Sequence, residues 1–346
     1  MTRKPALIPV TVLSGFLGSG KTTLLNNLLK PSFWERLLRV PPLTAVIMNE
    51  FGNVGLDQQL LGNNRGPMAL LSGGCVCCEI QGALLPTLKN LWLGRRDGSV
   101  PPFERVIIET TGLADPTPIM ETLLHSSWAA TRYVLDGVVV TVDASLGNGQ
   151  LDQHQEAVRQ IAGADRLLLT KTDLTDPQTI DALKQRLQVL NPAAPIVPVL
   201  HGEVDPQQVF GLRAYHISEP AQAKSWLAEK NFRILPPMSG HTDHIHSFVL
   251  RFMTPLVREE VAAGLQTLLG LCGTRLLRMK AIVNMQGHNG PVVLHAVQHI
   301  LYPQVELSAW PDEDHNSRFV FITQGLDEST VQQLLTRFSQ TVQAHN

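Results

Sequence analysis

Residues 10–25, VTVLSGFLGSGKTTLL, decide the fold of this chain. A β-branched apolar run ends at Ser14, and a glycine-rich loop then leads into a segment with the apolar spacing of a helix. Residues 15–22 match the pattern G-x-x-x-x-G-K-[ST] in full, between a predicted strand and a predicted helix. This is the context in which such a loop binds phosphate, so the sequence predicts a nucleotide-binding α/β domain.

The residue types of this loop have separate chemical roles. Gly15, Gly18 and Gly20 allow backbone N–H groups to approach a phosphate chain, and the following helix N-terminus adds positive potential. Lys21 is placed to reach the β- and γ-phosphates as a catalytic residue, and the Thr22 hydroxyl is a predicted ligand of Mg²⁺. The alternative is a glycine-rich turn that binds nothing.

Length and charge limit the classes of protein to which the chain can belong. The chain has 346 residues, enough for two domains, and its net charge of −2 with a pI near 6.6 argues against nucleic acid as a partner. No run approaches the roughly 20 apolar residues of a membrane span. The apolar run near the N-terminus leads straight into the phosphate loop, so we interpret it as a core strand, not a signal peptide. We expect a soluble, cytoplasmic protein without a membrane partner.

The order of predicted elements indicates two kinds of domain. Strands and helices alternate in the first half, which is typical of a mostly parallel sheet with crossover helices. Short strands with a helix near each end then predict a smaller antiparallel α+β domain. We predict a phosphate-loop domain at 1–213, a connector at 214–243 and the α+β domain at 244–346. The strands of the first domain are predicted at 8–13, 43–48, 68–71, 105–109, 137–142, 166–170 and 196–200, and its helices at 21–29, 79–93, 118–124, 153–161 and 177–190.

Residues 105–112, RVIIETTG, predict a strand followed by a sensing loop. In phosphate-loop enzymes an acid at the end of a neighbouring strand holds Mg²⁺, which is the role predicted for Glu109. A glycine three residues later can offer its N–H to the γ-phosphate, and Gly112 fits that role. The alternative is an ordinary surface carboxylate at a strand end.

Residues 167–173, LLLTKTD, predict a second buried strand that ends in a base-recognition motif. The motif is a variant of Asn-Lys-x-Asp, with Thr170 in place of asparagine. Asp173 would accept hydrogen bonds from the N1 and N2 groups of guanine, which adenine cannot supply. The stem of Lys171 would cover the base. We therefore favour GTP over ATP, although the motif alone could be a solvated loop.

Residues 49–57, NEFGNVGLD, follow the second predicted strand, where a GTPase has its first switch loop. Glu50 and Asp57 are candidates to ligate Mg²⁺, position water or help bind a second metal. An ordinary turn at the glycines is the alternative.

Residues 73–79, GGCVCCE, carry three of the four cysteines. Thiolates before a helix N-terminus have a lowered pKa, and the adjacent Cys77 and Cys78 cannot readily bridge each other. Together with Cys75 they indicate a soft metal, Zn²⁺ first, then Cu(I) or Co²⁺. Three ligands leave a fourth position for Glu50, water or a recipient's group. Buried inert thiols and a redox site are the alternatives.

The histidines and the fourth cysteine are weaker candidates. His241, His244 and His246 predict a solvated loop that can also collect metal at low affinity. We interpret His295 and His299 as surface residues of a strand, and Cys272 as a core thiol.

The combination of motifs resembles the CobW family of metal-chaperone GTPases, relatives of the nickel-insertion GTPases of hydrogenase and urease. The resemblance rests on GFLGSGKTT, NEFGNVGLD, GGCVCCEI, ETTGLADP, VDAS and TKTD in that order, and on LLRMKAIVNMQG and SAWPDEDHNSRFVFITQGLDE in the second half. It implies GTP-dependent delivery of a metal, most often zinc, to a client protein, with a metal- or nucleotide-dependent homo-oligomer possible. It assigns nucleotide and Mg²⁺ contacts to Gly18, Ser19, Gly20, Lys21, Thr22, Thr23, Glu109, Lys171 and Asp173, and metal to Cys75, Cys77 and Cys78.

The chain departs from the family pattern at three positions. Many members have glutamate at the position of Asn53, some have an acid at that of Met48, and a frequent glycine is replaced by Ala281. Two other functions share the motifs: cobalt handling for cobalamin synthesis, and a metal-regulated binding switch. A phosphate-loop kinase is disfavoured by the guanine-type TKTD motif.

Overall fold

The computed structural model describes residues 6–37, 43–49, 68–71, 78–212, 214, 219–228 and 244–341. The described residues form two compact units. The first lies within 1–150, 164–183 and 195–213, and the second within 151–163, 184–194 and 214–346.

The first unit contains a sheet of seven parallel strands in its described part. Its order is β3-β2-β4-β1-β5-β6-β7. The strands are β1 (Ile8–Gly15), β2 (Thr44–Asn49), β3 (Met68–Leu71), β4 (Arg105–Glu109), β5 (Tyr133–Asp143), β6 (Arg166–Thr170) and β7 (Ile196–Val199). Most positions of β1, β4, β5 and β6 are buried, as expected of parallel strands that helices cover on both faces.

The helices of the first 190 residues follow the strands in alternation. They are α1 (Lys21–Leu29), α2 (Pro31–Arg36), α3 (Cys78–Asp97), α4 (Thr117–His125), α5 (Ser127–Ala130), α6 (Gly147–Gln153), α7 (Gln155–Gly163) and α8 (Pro177–Leu190). The apolar face of α1 buries Leu24, Leu25 and Leu28 in one cluster with residues of the sheet. Full burial of one such leucine side chain stabilises the fold by about 1.5–3 kcal/mol.

The second unit contains an antiparallel sheet. Its strands are β8 (Ile245–Phe252), β9 (Leu276–Val283), β10 (Val292–Val297), β11 (Ile300–Leu301), β12 (Val305–Glu306) and β13 (Ser317–Gln324). The order is β11-β10-β9-β13-β8, and β12 pairs with β10. Beyond residue 213 its described helices are α9 (Pro220–Leu227), which lies in the predicted connector, α10 (Arg258–Cys272) and α11 (Glu328–Thr341). The predicted fold class, a mostly parallel sheet followed by a smaller α+β domain, is confirmed.

The interpretation of His295 as a surface residue was wrong. Its side chain is buried, stacked on Tyr302 with ring centroids 4.5 Å apart and edge-on to Trp226. Burial, and then the charges of Arg278 and Lys280, hold the pKa of His295 well below its ordinary value. Every position of β10 is buried, so alternation along this strand does not mark a solvent face. His299 is exposed and Cys272 is buried, as predicted.

No helix in the described ranges has the length and apolar content needed to cross a membrane.

Candidate nucleotide site

The phosphate loop connects the end of β1 to the start of α1. Gly15, Gly18 and Gly20 all have positive φ, at 136°, 70° and 93°. At Gly15 two features exclude a side chain. One is the positive φ, and the other is that a Cβ atom would lie 2.4 Å from the carbonyl oxygen of Thr141. The glycine spacing of the motif therefore follows from the path that the backbone takes against β5.

Hydroxyl groups fix this loop from the neighbouring strands. The Oγ of Ser19 lies 2.7 Å from Oγ1 of Thr141, and both side chains are buried. The Thr170 hydroxyl, at the end of β6, lies 2.8 Å from the carbonyl oxygen of Ser19 and donates to it. The loop is thus held by side chains that lie more than a hundred residues further along the chain.

The side chain of Lys21 folds back onto the backbone of the phosphate loop. Its ammonium group donates to the carbonyl oxygens of Gly15 and Phe16, at 2.8 and 3.1 Å. Burial lowers the pKa of Lys21 below its ordinary value, while the carboxylate of Glu109 acts in the opposite direction. The cation is therefore positioned beside the glycine-rich backbone and close to an acid.

Thr22 and Glu109, which the sequence assigns to Mg²⁺, are brought together. The Thr22 hydroxyl donates to Oε1 of Glu109 at 2.8 Å, and the carboxylate is buried. Glu109 is the last residue of β4, and its partner across the parallel ladder is Leu13 of β1. A hydroxyl and a carboxylate at the start of a helix are hard oxygen donors, the type that Mg²⁺ prefers, so this donor set fits the ion.

The segment after β4 runs directly against the phosphate loop. Thr110 donates its N–H to Leu13 and its hydroxyl to Ser14 Oγ, both at 3.0 Å. At Gly112 a Cβ atom would lie 2.6 Å from the backbone nitrogen of Leu17, which is closer than real Cβ contacts. A glycine at this position is what permits the two loops to touch.

The base-recognition motif follows β6. Lys171 has a left-handed backbone, with φ 56°, and its ammonium lies 2.7 Å from Oδ2 of Asp143. The other oxygen of Asp143 accepts from the N–H groups of Ser145 and Leu146. Asp173 is exposed in a short 3₁₀ turn, Thr172–Leu174.

The ionisation of Asp143 is fixed by these contacts. Its side chain is fully buried, and burial alone would raise its pKa. The Lys171 ammonium and the donors from Ser145 and Leu146 outweigh that effect, so the pKa of Asp143 lies below its ordinary range. Asp143 is therefore an anion that orients Lys171.

Sequence reasoning assigned no role to three groups that build this site. Thr141 and Asp143 end β5, and Ser14 lies near the end of β1. The sequence feature that could have identified them is a polar side chain near the carboxyl end of an apolar strand, because ligands of parallel sheets bind at that end. Thr23, which the resemblance assigns to the nucleotide, is exposed on α1.

The predicted zinc ligands lie outside the part of the chain whose side chains are described. Cys75, Cys77, Glu50, Asp57 and His241 fall there, and Cys78 is the first residue of α3 with no described side chain. Within the described ranges, no three His, Cys, Asp or Glu side chains form a group that could hold a metal ion. Met48, where some relatives have an acid, is 2% exposed in the apolar core.

Two family models match the chain. The model of the CobW/HypB/UreG nucleotide-binding domain matches residues 9–198. The model of the cobalamin synthesis protein cobW C-terminal domain matches residues 245–339.

Similar proteins extend over both regions. The zinc chaperone YjiA of Escherichia coli K12 is 34% identical over 328 residues, which cover 94% of this chain and 96% of that protein. The zinc chaperone CobW of Pseudomonas aeruginosa is 28% identical over 94% of this chain and 90% of its own length. The crystal structure of Zn(II)-bound YjiA GTPase from E. coli matches with a TM-score of 0.73 at 31% identity, covering 96% of this chain and 99% of that one.

Proposed function

The chain belongs to the CobW/HypB/UreG family, and we propose that it is a GTP-hydrolysing metallochaperone. It binds zinc through Cys75, Cys77 and Cys78 and delivers it to a client metalloprotein. One observation carries the GTPase part: Thr22 and Glu109 meet at 2.8 Å beside the buried Lys21, at the start of a helix that follows a glycine-rich loop.

The chemistry of hydrolysis is divided among these residues. Thr22 and Glu109 would hold Mg²⁺, and the bound ion would supply positive charge beside the β- and γ-phosphates. Lys21 exchanges its contacts with loop carbonyls for contacts with phosphate oxygens. Gly112, in contact with the phosphate loop, offers its N–H to the γ-phosphate and changes position when that group leaves.

Guanine selection rests on the motif after β6. The Asp173 carboxylate accepts from the N1 and N2 groups of the base, and Lys171 covers the face of the ring. The buried Asp143 supports this role because its contact at 2.7 Å holds the Lys171 ammonium away from the base. A site that needs two donors from its ligand rejects a base that lacks them.

The segment that contains the cysteines follows a strand of the sheet that carries the nucleotide site. β3 runs parallel to β2, and β2 runs parallel to β4, so Leu71 ends at the same edge of the sheet as Glu109. The segment with the cysteines begins after Leu71 and ends at Cys78, the first residue of α3. Zinc thiolates beside a helix N-terminus are favourable, and three ligands leave a fourth position open for transfer.

Relatives support zinc as the metal. The YjiA and CobW proteins described above both carry the name zinc chaperone. A protein of Schizosaccharomyces pombe, 30% identical over 252 residues that cover 69% of this chain and 58% of that protein, is named zinc-regulated GTPase metalloprotein activator 1. Such a function requires GTP and reduced thiols, which fits the cytoplasm.

Zinc titration of a cysteine variant tests the proposal. Wild type and Cys75→Ser/Cys77→Ser/Cys78→Ser are titrated with zinc while GTP turnover is followed in parallel. Cys272→Ala, which removes the buried thiol outside the motif, is the matched control. We expect the triple variant to lose the tight zinc site and the zinc dependence of turnover, and the control to keep both. Unchanged zinc stoichiometry and turnover in the triple variant would overturn the chaperone function.

A further inference from the structure

A cavity of about 520 Å³ lies in the first unit, at the edge of the sheet opposite the phosphate loop. Ile8, the first residue of β1, lines it, and so does Arg132, which directly precedes β5. The phosphate loop begins at the other end of β1. At about 3.3 Å per strand residue, the two sites are roughly 23 Å apart.

Three guanidinium groups line this cavity: Arg95 and Arg96 in the last turn of α3, and Arg132. Within the described ranges none of them forms a salt bridge. The next acid along the chain, Asp97, accepts a hydrogen bond from the N–H of Ser99 at 2.9 Å. The charged side chains that line the cavity are all cationic, although the whole chain carries a net charge of −2.

Aromatic rings hold these arginines in place. The guanidinium of Arg132 lies 4.8 Å from the ring centroid of Trp92 and 4.5 Å from that of Trp128. Arg96 lies 5.5 Å from Trp92. Nη1 of Arg132 also donates to the carbonyl oxygen of Trp128 at 3.1 Å and to Oγ1 of Thr131 at 2.8 Å. These contacts restrain the guanidinium before an anion binds, so less conformational entropy is lost on binding.

A purely structural role explains the stacking but not the number of charges. Like charges that share one concave surface repel each other, and an ordinary packing contact would be served by one arginine. A bound anion converts this repulsion into attraction. The grouping thus indicates a ligand site.

We propose that this cavity binds an organic phosphate, with the phosphoryl group on Arg95, Arg96 and Arg132. The planar fork of arginine matches phosphate oxygens in pairs, and charge-assisted hydrogen bonds of this kind are strong. Ile8, Trp92 and Pro102 provide the apolar wall for the body of the ligand. The volume falls within the range of small-molecule sites, about 300–1,000 Å³.

Phenyl phosphate is the probe for this site. The full-length protein is first saturated with GDP and Mg²⁺, so that the phosphate loop is occupied, and the probe is then titrated calorimetrically. We expect saturable binding with a Kd of about 1 mM or below. Inorganic phosphate, which lacks the ring, should bind more weakly, and benzyl alcohol, which lacks the charge, should not bind.

Substitution of the exposed arginines locates the binding. Arg95→Gln/Arg96→Gln should weaken phenyl phosphate binding roughly tenfold or more, since two charge-assisted contacts are lost. Arg36→Gln/Arg159→Gln, two exposed arginines outside the cavity, is the matched control and should bind like wild type. Absence of saturable binding to wild type, equal affinity in the Arg95/Arg96 variant, or equal affinity for benzyl alcohol would each overturn the proposal.

Discussion

The hydroxyl of Thr170 lies 2.8 Å from the carbonyl oxygen of Ser19 and 3.1 Å from that of Val142. GTPases have asparagine here, and the sequence alone identifies threonine only as a departure from their pattern. The structure shows the contact that this threonine makes: its hydroxyl, on the strand of the base motif, reaches the phosphate loop.

Removing this hydroxyl should loosen the loop. Thr170→Val leaves buried carbonyl oxygens without their donor, so we expect a loss of about 1–3 kcal/mol in the free energy of unfolding and weaker GDP binding. Thr170→Ser keeps the donor and should behave nearly as wild type. Urea denaturation and GDP titration measure both effects. A valine variant that matches the serine variant in both would show that the hydroxyl does not hold the loop.

Asp143 predicts a dependence of stability on pH. Its pKa in the folded protein lies below its ordinary value of 3.8, so it contributes stability above about pH 4 that is lost as the pH falls through the folded-state pKa. Asp143→Asn lacks this contribution. We expect the variant to be less stable at pH 7 by roughly 1–3 kcal/mol, and its stability to fall less steeply in acid.

Urea denaturation at a series of pH values between about 7 and 3 measures this effect. Asp173→Asn, which changes an exposed carboxylate of the same motif, is the control and should retain the slope of wild type. Parallel pH profiles for wild type and Asp143→Asn would contradict the account of Asp143.

At the scale of elements, the segment after β4 contacts the phosphate loop, and this contact predicts an effect of substitution on GTP turnover. A Cβ atom at Gly112 would lie 2.6 Å from the backbone nitrogen of Leu17. Gly112→Ala should therefore separate the segment after β4 from the phosphate loop, and we expect GTP turnover to fall roughly tenfold or more, about 1.4 kcal/mol in barrier height.

Gly82→Ala is the matched control for that change. Gly82 lies on α3 with nothing within 4 Å of the added atom, so alanine should stabilise the helix by up to about 1 kcal/mol without affecting turnover. Turnover kinetics and thermal denaturation of both variants test the prediction. Normal turnover in Gly112→Ala would show that the close contact is not needed for hydrolysis.

Elements with continuous apolar runs were predictable from the sequence. The predicted strands at 105–109 and 166–170 coincide with β4 and β6, because buried parallel strands are apolar on both faces. One helix was predicted at 153–161, which coincides with most of α7, and α6 precedes it. Residues 147–153, GNGQLDQ, contain two glycines and little apolar spacing, so local propensity does not indicate α6.

At the scale of the whole molecule, the sequence motifs alone do not predict which loops contact each other. That depends on strand order, with β1 between β4 and β5, and strand order is set by packing over long sequence separations. Glu109 was predicted to hold Mg²⁺ because acids at such strand ends have a known role, and the structure places it 2.8 Å from the Thr22 hydroxyl. Thr141 and Asp143 were passed over because a polar residue that ends a buried strand has many possible roles.

The central claim concerns coupling within the whole chain. The nucleotide loops and the cysteine segment start from one edge of the same sheet, since β2, β3 and β4 are parallel neighbours. If the γ-phosphate orders those loops, it also changes the geometry offered to zinc. Thermodynamic linkage then requires zinc to change the affinity for nucleotide by the same factor.

The most direct test is to measure the zinc affinity of the full-length protein by competition with a chromophoric chelator. The measurement is made once with a saturating non-hydrolysable GTP analogue and Mg²⁺, and once with saturating GDP and Mg²⁺. We predict that zinc binds at least about fivefold more tightly with the GTP analogue, and that zinc strengthens binding of the analogue, relative to GDP, by the same factor. Equal zinc affinity in the two nucleotide states would contradict it.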